Sequence, residues 1–96
     1  MSTMITLYKF TDQGVKNVKD SPQRLKAAIA AFEAKGGKIL AAYYTLGEYD
    51  LIVIAEGPDV QTGLAHILAT ASLGNVRSTT LPAFSVAEFA EIIKKM

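Results

Sequence analysis

Cysteine and tryptophan are absent from this 96-residue chain, histidine occurs once and proline three times. Without cysteine there is no disulfide, no thiolate zinc site, no iron–sulfur ligation and no thiol nucleophile. One histidine unaccompanied by thiols does not make a transition-metal donor set. Net charge is nearly missing as well. Ten Lys and Arg against nine Asp and Glu leave a formal +1, too weak a field to gather nucleic acid or an anionic membrane. No apolar run approaches the length of a membrane span, and Met1–Lys9 has neither the basic segment nor the apolar stretch of an export signal. The expectation is a cytoplasmic protein with no metal and no cofactor, and with neither nucleic acid nor membrane as a partner.

What the chain has in quantity is apolar surface: half of its residues are hydrophobic and a fifth are charged, with a mean hydropathy of +0.24. A domain of this size buries roughly 65% of the surface its unfolded chain exposes, which supports one core and not two. No repeat, low-complexity tract or linker divides it, so residues 1–96 read as a single domain. Apolar surface beyond what one core can bury has to be covered by something else.

Periodicity orders the elements. Thr3–Phe10 is rich in β-branched and aromatic residues and predicts a strand ending in a turn at Thr11-Asp12-Gln13-Gly14. Ser21-Pro22 has the form of an N-cap followed by a first-turn proline. Leu25, Ala28, Ile29 and Phe32 then recur at helical spacing until Gly36-Gly37. Lys38–Leu46 and Tyr49–Glu56 form two strand-like runs around Gly47-Glu48, which suits a tight hairpin with glycine at positive φ. Asp59 caps a second helix whose stripe is Val60, Leu64, Ile67, Leu68 and Ala71, closed by Gly74. Val76–Leu81 is a fourth strand ending at Pro82. Ser85 and Glu88 form a capping box for a short last helix, Val86–Lys95.

The order β-α-β-β-α-β plus a terminal helix is the ferredoxin-like α+β pattern: an antiparallel sheet with both main helices on one face. The strands are apolar on both sides. Leu51, Val53 and Ala55 alternate with Ile52 and Ile54, and Leu40, Ala42 and Tyr44 with Ile39, Ala41 and Tyr43. Burial on both sides predicts a homo-oligomer, a dimer or higher, in which sheet packs on sheet.

Thr45-Leu46-Gly47-Glu48-Tyr49-Asp50-Leu51 resembles the GYD-domain family, through the Gly-x-Tyr-Asp pattern at Gly47, Tyr49 and Asp50. Lys9–Gly14, Lys19–Arg24, Gly36–Lys38 and Gly74–Leu81 extend the likeness over nearly the whole chain, although Pro82 stands where some members carry Arg. The resemblance implies a ferredoxin-like domain assembling as a dimeric α/β barrel, and no reaction. Gly47–Leu81 is also similar, more loosely, to the ligand-sensing domain of leucine-responsive transcription regulators, which bind amino acids between subunits. The fold shared with cofactor-free monooxygenases and lactone isomerases supplies an enzyme alternative by analogy alone.

Four residues are the candidates for a ligand site. Asp50 could accept from a ligand amine or hydroxyl, although turn chemistry accounts for each residue of Gly47-Glu48-Tyr49-Asp50 without one. Tyr44 and Tyr49 present phenols that suit an interface equally well. Arg77 in the fourth strand has a fork matched to carboxylate or phosphate, or to an ion pair with Asp50 or Glu56. The angular position of His66 places it on the solvent face of its helix. The leading expectation is therefore a non-enzymatic oligomer binding a small polar molecule. A cofactor-independent barrel enzyme and a purely structural adaptor are the alternatives.

Overall fold

The structure, a computed structural model, describes residues 2–96. The elements are β1 (Ser2–Phe10), α1 (Asp12–Lys16), a 3₁₀ turn at Val18–Asp20, α2 (Ser21–Ala34), β2 (Lys38–Tyr44), β3 (Leu51–Gly57), α3 (Val60–Ser72), β4 (Val76–Ala83) and α4 (Val86–Ile93). The strands form one antiparallel sheet in the order β2-β3-β1-β4, the arrangement expected of a ferredoxin-like α+β domain. It is an open sheet with β2 and β4 as edges.

Register fixes which residues meet the helices. Met4, Thr6 and Tyr8 of β1 stand opposite Ala55, Val53 and Leu51 of β3, and all six are buried. Tyr8, Leu51, Val53 and Ala55 together with Phe32 of α2 and Val76 of β4 make the core, against which Phe10, Leu25, Ile39 and Ala42 pack. The α2 stripe read from helical spacing thus faces inward as expected.

The structure differs from the sequence reading at several places. Thr11–Gly14 opens a short helix instead of a turn: the Thr11 hydroxyl accepts from the Gly14 N–H (3.1 Å) and donates to the Gly74 carbonyl (2.6 Å). Ser21 is not the cap of α2. The 3₁₀ turn runs straight into the helix, Ser21 already has helical φ −57° and ψ −45°, and its hydroxyl is engaged by the Tyr44 phenol at 2.8 Å.

The hairpin is wider than Gly47-Glu48, because β2 stops at Tyr44 and β3 starts at Leu51. Asp50 is diverted to β1, donating its N–H to the Tyr8 carbonyl (2.8 Å) while its carboxylate accepts from the Phe10 N–H (2.8 Å). Gly47 does carry the positive φ, +117°. In β2 the register slips between Ile39 and Ala41. A bulge at Leu40 breaks strict alternation, so Ile39, Ala42 and Tyr44 lie on the helix side while Ala41 and Tyr43 lie on the other. Finally β4 runs through Pro82, paired with Met4, which an edge strand tolerates.

Ser85 and Glu88 form both halves of the capping box on α4. This helix is scarcely packed against the other elements, and it leaves Val86, Phe89, Ile92 and Ile93 exposed. The chain is accordingly elongated, 48 × 30 × 19 Å.

Two glycines mark close approaches of unequal stiffness. A Cβ on Gly14 would run into the backbone carbonyl of Asn75, whereas one on Gly63 would meet only the methyl end of Met4. Backbone cannot yield as a flexible side chain can. Gly14→Ala is expected to cost about 3 kcal/mol. Gly63→Ala should stay near neutral, since the gain of about 1 kcal/mol in helix propensity offsets moving Met4. Urea unfolding of both variants measures the contrast.

Candidate functional site

Between α2, α3 and the sheet lies a cleft of about 460 Å³, within the range of small-molecule sites. It exists because the side chains that α2 and α3 turn toward each other are small. Ala27, Ala28 and Ala31 line it from α2, and Gly63 and Ala69 from α3. Thr6, Tyr8, Leu51 and Val53 form its floor, with Phe32 and Ile67 as apolar walls.

Its most deeply placed polar groups are on the floor. Thr6 is 5% and Tyr8 7% exposed, and no hydrogen bond to either hydroxyl is formed within the described residues. Yet no sealed polar side-chain atom there lacks a partner. Both hydroxyls therefore reach free space, and both residues line the cleft. Burial raises the Tyr8 phenol above its ordinary pKa, so it stays a neutral donor at physiological pH.

His66 also lines the cleft, its ring tilted 37° to that of Phe32 with centroids 4.9 Å apart. Its pKa is lowered, first by burial and then by the charge of Lys35. Ser21 and Arg24 border the opposite end. Arg24 donates one N–H to the Asn17 carbonyl (2.9 Å).

The four residues proposed from sequence do not share one pocket. Tyr44 lies on the helix side, holding Ser21 through its phenol. Asp50 spends its carboxylate and N–H on β1 and joins the strands. Tyr49 and Arg77 flank a depression of about 130 Å³ with Leu7, Lys9 and Thr79. The Lys9 ammonium there lies 5.4 Å from the Tyr49 ring centroid. Arg77 forms no ion pair with Asp50 or Glu56. It donates to the carbonyls of Val76 (3.0 Å) and Ala71 (3.4 Å), the latter in the last turn of α3. No cluster of three or more potential metal-binding His, Asp or Glu side chains occurs among the described residues.

The sequence reading did not place Thr6, Tyr8 and His66 at a site because hydrophobic strength points the other way. In α3, Val60, Leu64 and Leu68 are 49%, 45% and 70% exposed. The half-buried positions include His66, Ile67 and Thr70, with Gly63 fully buried. His66 is therefore not a solvent-face residue. The usable signal is Gly63: a glycine within a helix marks the side on which another element comes close.

Two consequences are measurable. The unfolded chain takes up a proton at His66 near pH 6.5, whereas burial makes the native side chain resist it. Stability should therefore fall as pH drops from about 7 to 5, and His66→Gln should flatten that dependence in denaturant midpoints. Asp50→Ala leaves the Phe10 N–H without its acceptor and should cost about 2 kcal/mol. Arg77→Ala, on an exposed edge residue, should cost under about 0.5 kcal/mol by the same measurement.

A profile of the GYD domain matches residues 4–93. A Thermus thermophilus protein named glutamine synthetase and cystathionine beta-lyase binding protein is 34% identical over 95 residues, covering 98% of this chain and 100% of its own. Among solved structures, FFRP-DM1 superposes with a TM-score of 0.59 at 21% identity, over 88% of this chain and 100% of its own. TTHA0845 from Thermus thermophilus gives 0.57 at 24%, over 90% and 96%. The structural matches establish the shared fold. The sequence matches, which run almost end to end, establish that the chain belongs to the GYD-domain family.

Proposed function

We propose that this protein is a non-catalytic binding protein that self-associates through the sheet face opposite its helices and attaches to other proteins, metabolic enzymes among them. The observation that carries the reading is the composition of that face. Ile5 and Leu7 of β1 share it with Ile52 and Ile54 of β3, Ala41 and Tyr43 of β2 and Leu81 of β4, and no helix covers it. A continuous apolar sheet face is a surface to be buried. A second copy is a fitting occupant because its own face is equally apolar, so one isologous contact buries both. Charge is confined to the ends of the face, with Lys9 opposite Arg77 and beside Glu48 at one end and Glu56 opposite Lys38 at the other. A two-fold axis lying in the plane between the two faces relates such copies.

That arrangement is the dimeric α/β barrel. The exposed apolar side of α4 then has a neighbouring copy to pack on. Attachment to enzymes is supported by the name of the Thermus thermophilus relative, which shares the full length of the chain. A cofactor-independent enzyme built on Tyr44, Tyr49, Asp50 and Arg77 is less well supported, since these residues lie on different faces.

Sedimentation at micromolar concentration is expected to give a particle of at least twice the 10.3 kDa chain mass. Ile52→Lys should return it to the monomer while its circular dichroism stays native-like. A monomeric parent would refute the self-association. Glutamine synthetase and cystathionine beta-lyase from the same cells should co-elute with the parent protein, and their failure to do so would remove the enzyme partners.

A further inference from the structure

We propose that the cleft between α2 and α3 binds a small monocarboxylic acid with an apolar aromatic or branched aliphatic body, its carboxylate at the Arg24 end. The cleft adds a ligand class to the binding role proposed above, and it does not depend on self-association, because its lining comes from a single chain.

The end assignment follows from register. Tyr8 pairs with Leu51, Leu51 with Tyr44, and the Tyr44 phenol bonds to Ser21. Tyr8 and Ser21 therefore lie at the same level of the sheet. Arg24 follows Ser21 by three residues, less than one turn of α2. That end gathers the buried Tyr8 hydroxyl, the Ser21 hydroxyl and a guanidinium. Lys35 lies three turns away along the helix, beside His66 at the opposite end.

The chemistry of the lining selects the ligand. The chain carries nine acidic residues against ten Lys and Arg, yet the cleft is lined by Arg24 and Lys35 and by no Asp or Glu. An anion meets no repulsion there and a cation meets no partner. Arg24 uses one N–H on Asn17 and retains others for a carboxylate, in the charge-assisted geometry that favours Arg. Tyr8, kept protonated by its surroundings, is a donor to that carboxylate.

Beyond this end the walls are Ile29, Phe32, Val53 and Ile67, which leave room for one apolar body. Thr6, only 5% exposed, is the sole hydroxyl on the floor beneath that body. Thr70 and Asn75 also line the cleft, but the Thr70 hydroxyl donates to the His66 carbonyl and the Asn75 side chain accepts from Gln13, so the lining suits a single polar substituent better than a sugar or a nucleotide, which would leave many polar groups unpaired.

The test uses phenylacetate and 4-methylpentanoate as probes, with phenylacetamide as the neutral isostere of the first. Each is titrated into the ¹⁵N-labelled full chain, and the same samples are sedimented. Phenylacetate is expected to shift amide resonances of β1, α2 and α3, leaving those around Arg77 and Thr79 in place. It should bind about tenfold more tightly than the amide, the scale of one charge-assisted contact.

Arg24→Met should abolish the preference for acid over amide, and Tyr8→Phe should weaken the acid several-fold without lowering stability, because the hydroxyl it removes has no partner in the free protein. Ala28→Met, which fills the cleft from α2, should block both probes. Shifts confined to the open sheet face would overturn the site, as would no shift by either acid up to about 10 mM, a concentration at which even weak binding is detected. Equal affinity for acid and amide would overturn the ligand class. Sedimentation reports separately on the sheet-face contact, so a failure of one proposal is not mistaken for a failure of the other.

Discussion

The helix side of this molecule depends on the register of β1 against β3, which runs from Ser2–Gly57 to Tyr8–Leu51 and is closed at its end by Asp50. Its N–H reaches the Tyr8 carbonyl and its carboxylate receives the Phe10 N–H, both at 2.8 Å. A strand register displaced by one residue turns every side chain to the opposite face. Were β1 to slip, Ile5 and Leu7 would enter beneath the helices and Thr6 and Tyr8 would leave. The cleft would lose both floor hydroxyls in a single step. The hairpin whose composition is that of an ordinary turn thus also reinforces the register that sets the polarity of the site's floor.

A second constraint is that the greasiest side of an element is not its inner side here. β1 buries Met4, Thr6 and Tyr8 while Ile5 and Leu7 look outward, and α3 buries Gly63 while Leu64 and Leu68 stay exposed. A chain folding only as a monomer would gain from the reverse choice, because burying a large aliphatic side chain contributes more than burying a threonine or a glycine. The inversion is intelligible when the outward faces are themselves buried by association, and the inner faces keep the small and polar residues that leave a cavity.

This inversion explains what could be read from the chain and what could not. Helix caps follow from local chemistry, and Asp59 and the Ser85–Glu88 box behave as their residue types require. The strand order follows from the element order. Ser21, by contrast, is a good cap by type and is engaged instead by a long-range partner, Tyr44, which no local rule foresees. The bulge at Leu40 shifts alternation by one position, and nothing in Ile39-Leu40-Ala41 announces it. Tyr49, Asp50 and Arg77 stand out as polar residues in apolar surroundings, and two of the three are occupied with backbone groups. Thr6 and His66 do not stand out, because angular position judged from apolar neighbours misleads where the apolar side faces outward.

The corner where Thr11 and Gln13 meet Leu73, Gly74 and Asn75 carries a mechanical consequence. The Thr11 N–H and hydroxyl and the Gln13 amide fasten the end of α3 to the start of α1 through four hydrogen bonds. At its other end α3 is held by its chain connection through Gly57 and Pro58 and by the contact between Gly63 and the flexible tip of Met4. Arg77 adds a further donor to the Ala71 carbonyl at the C-terminal end, so the hydrogen bonds that fasten α3 to other elements gather at that corner. The corner borders the cleft through Leu73 and Asn75, so the wall beside Asn75 is the one that hydrogen bonds hold in place.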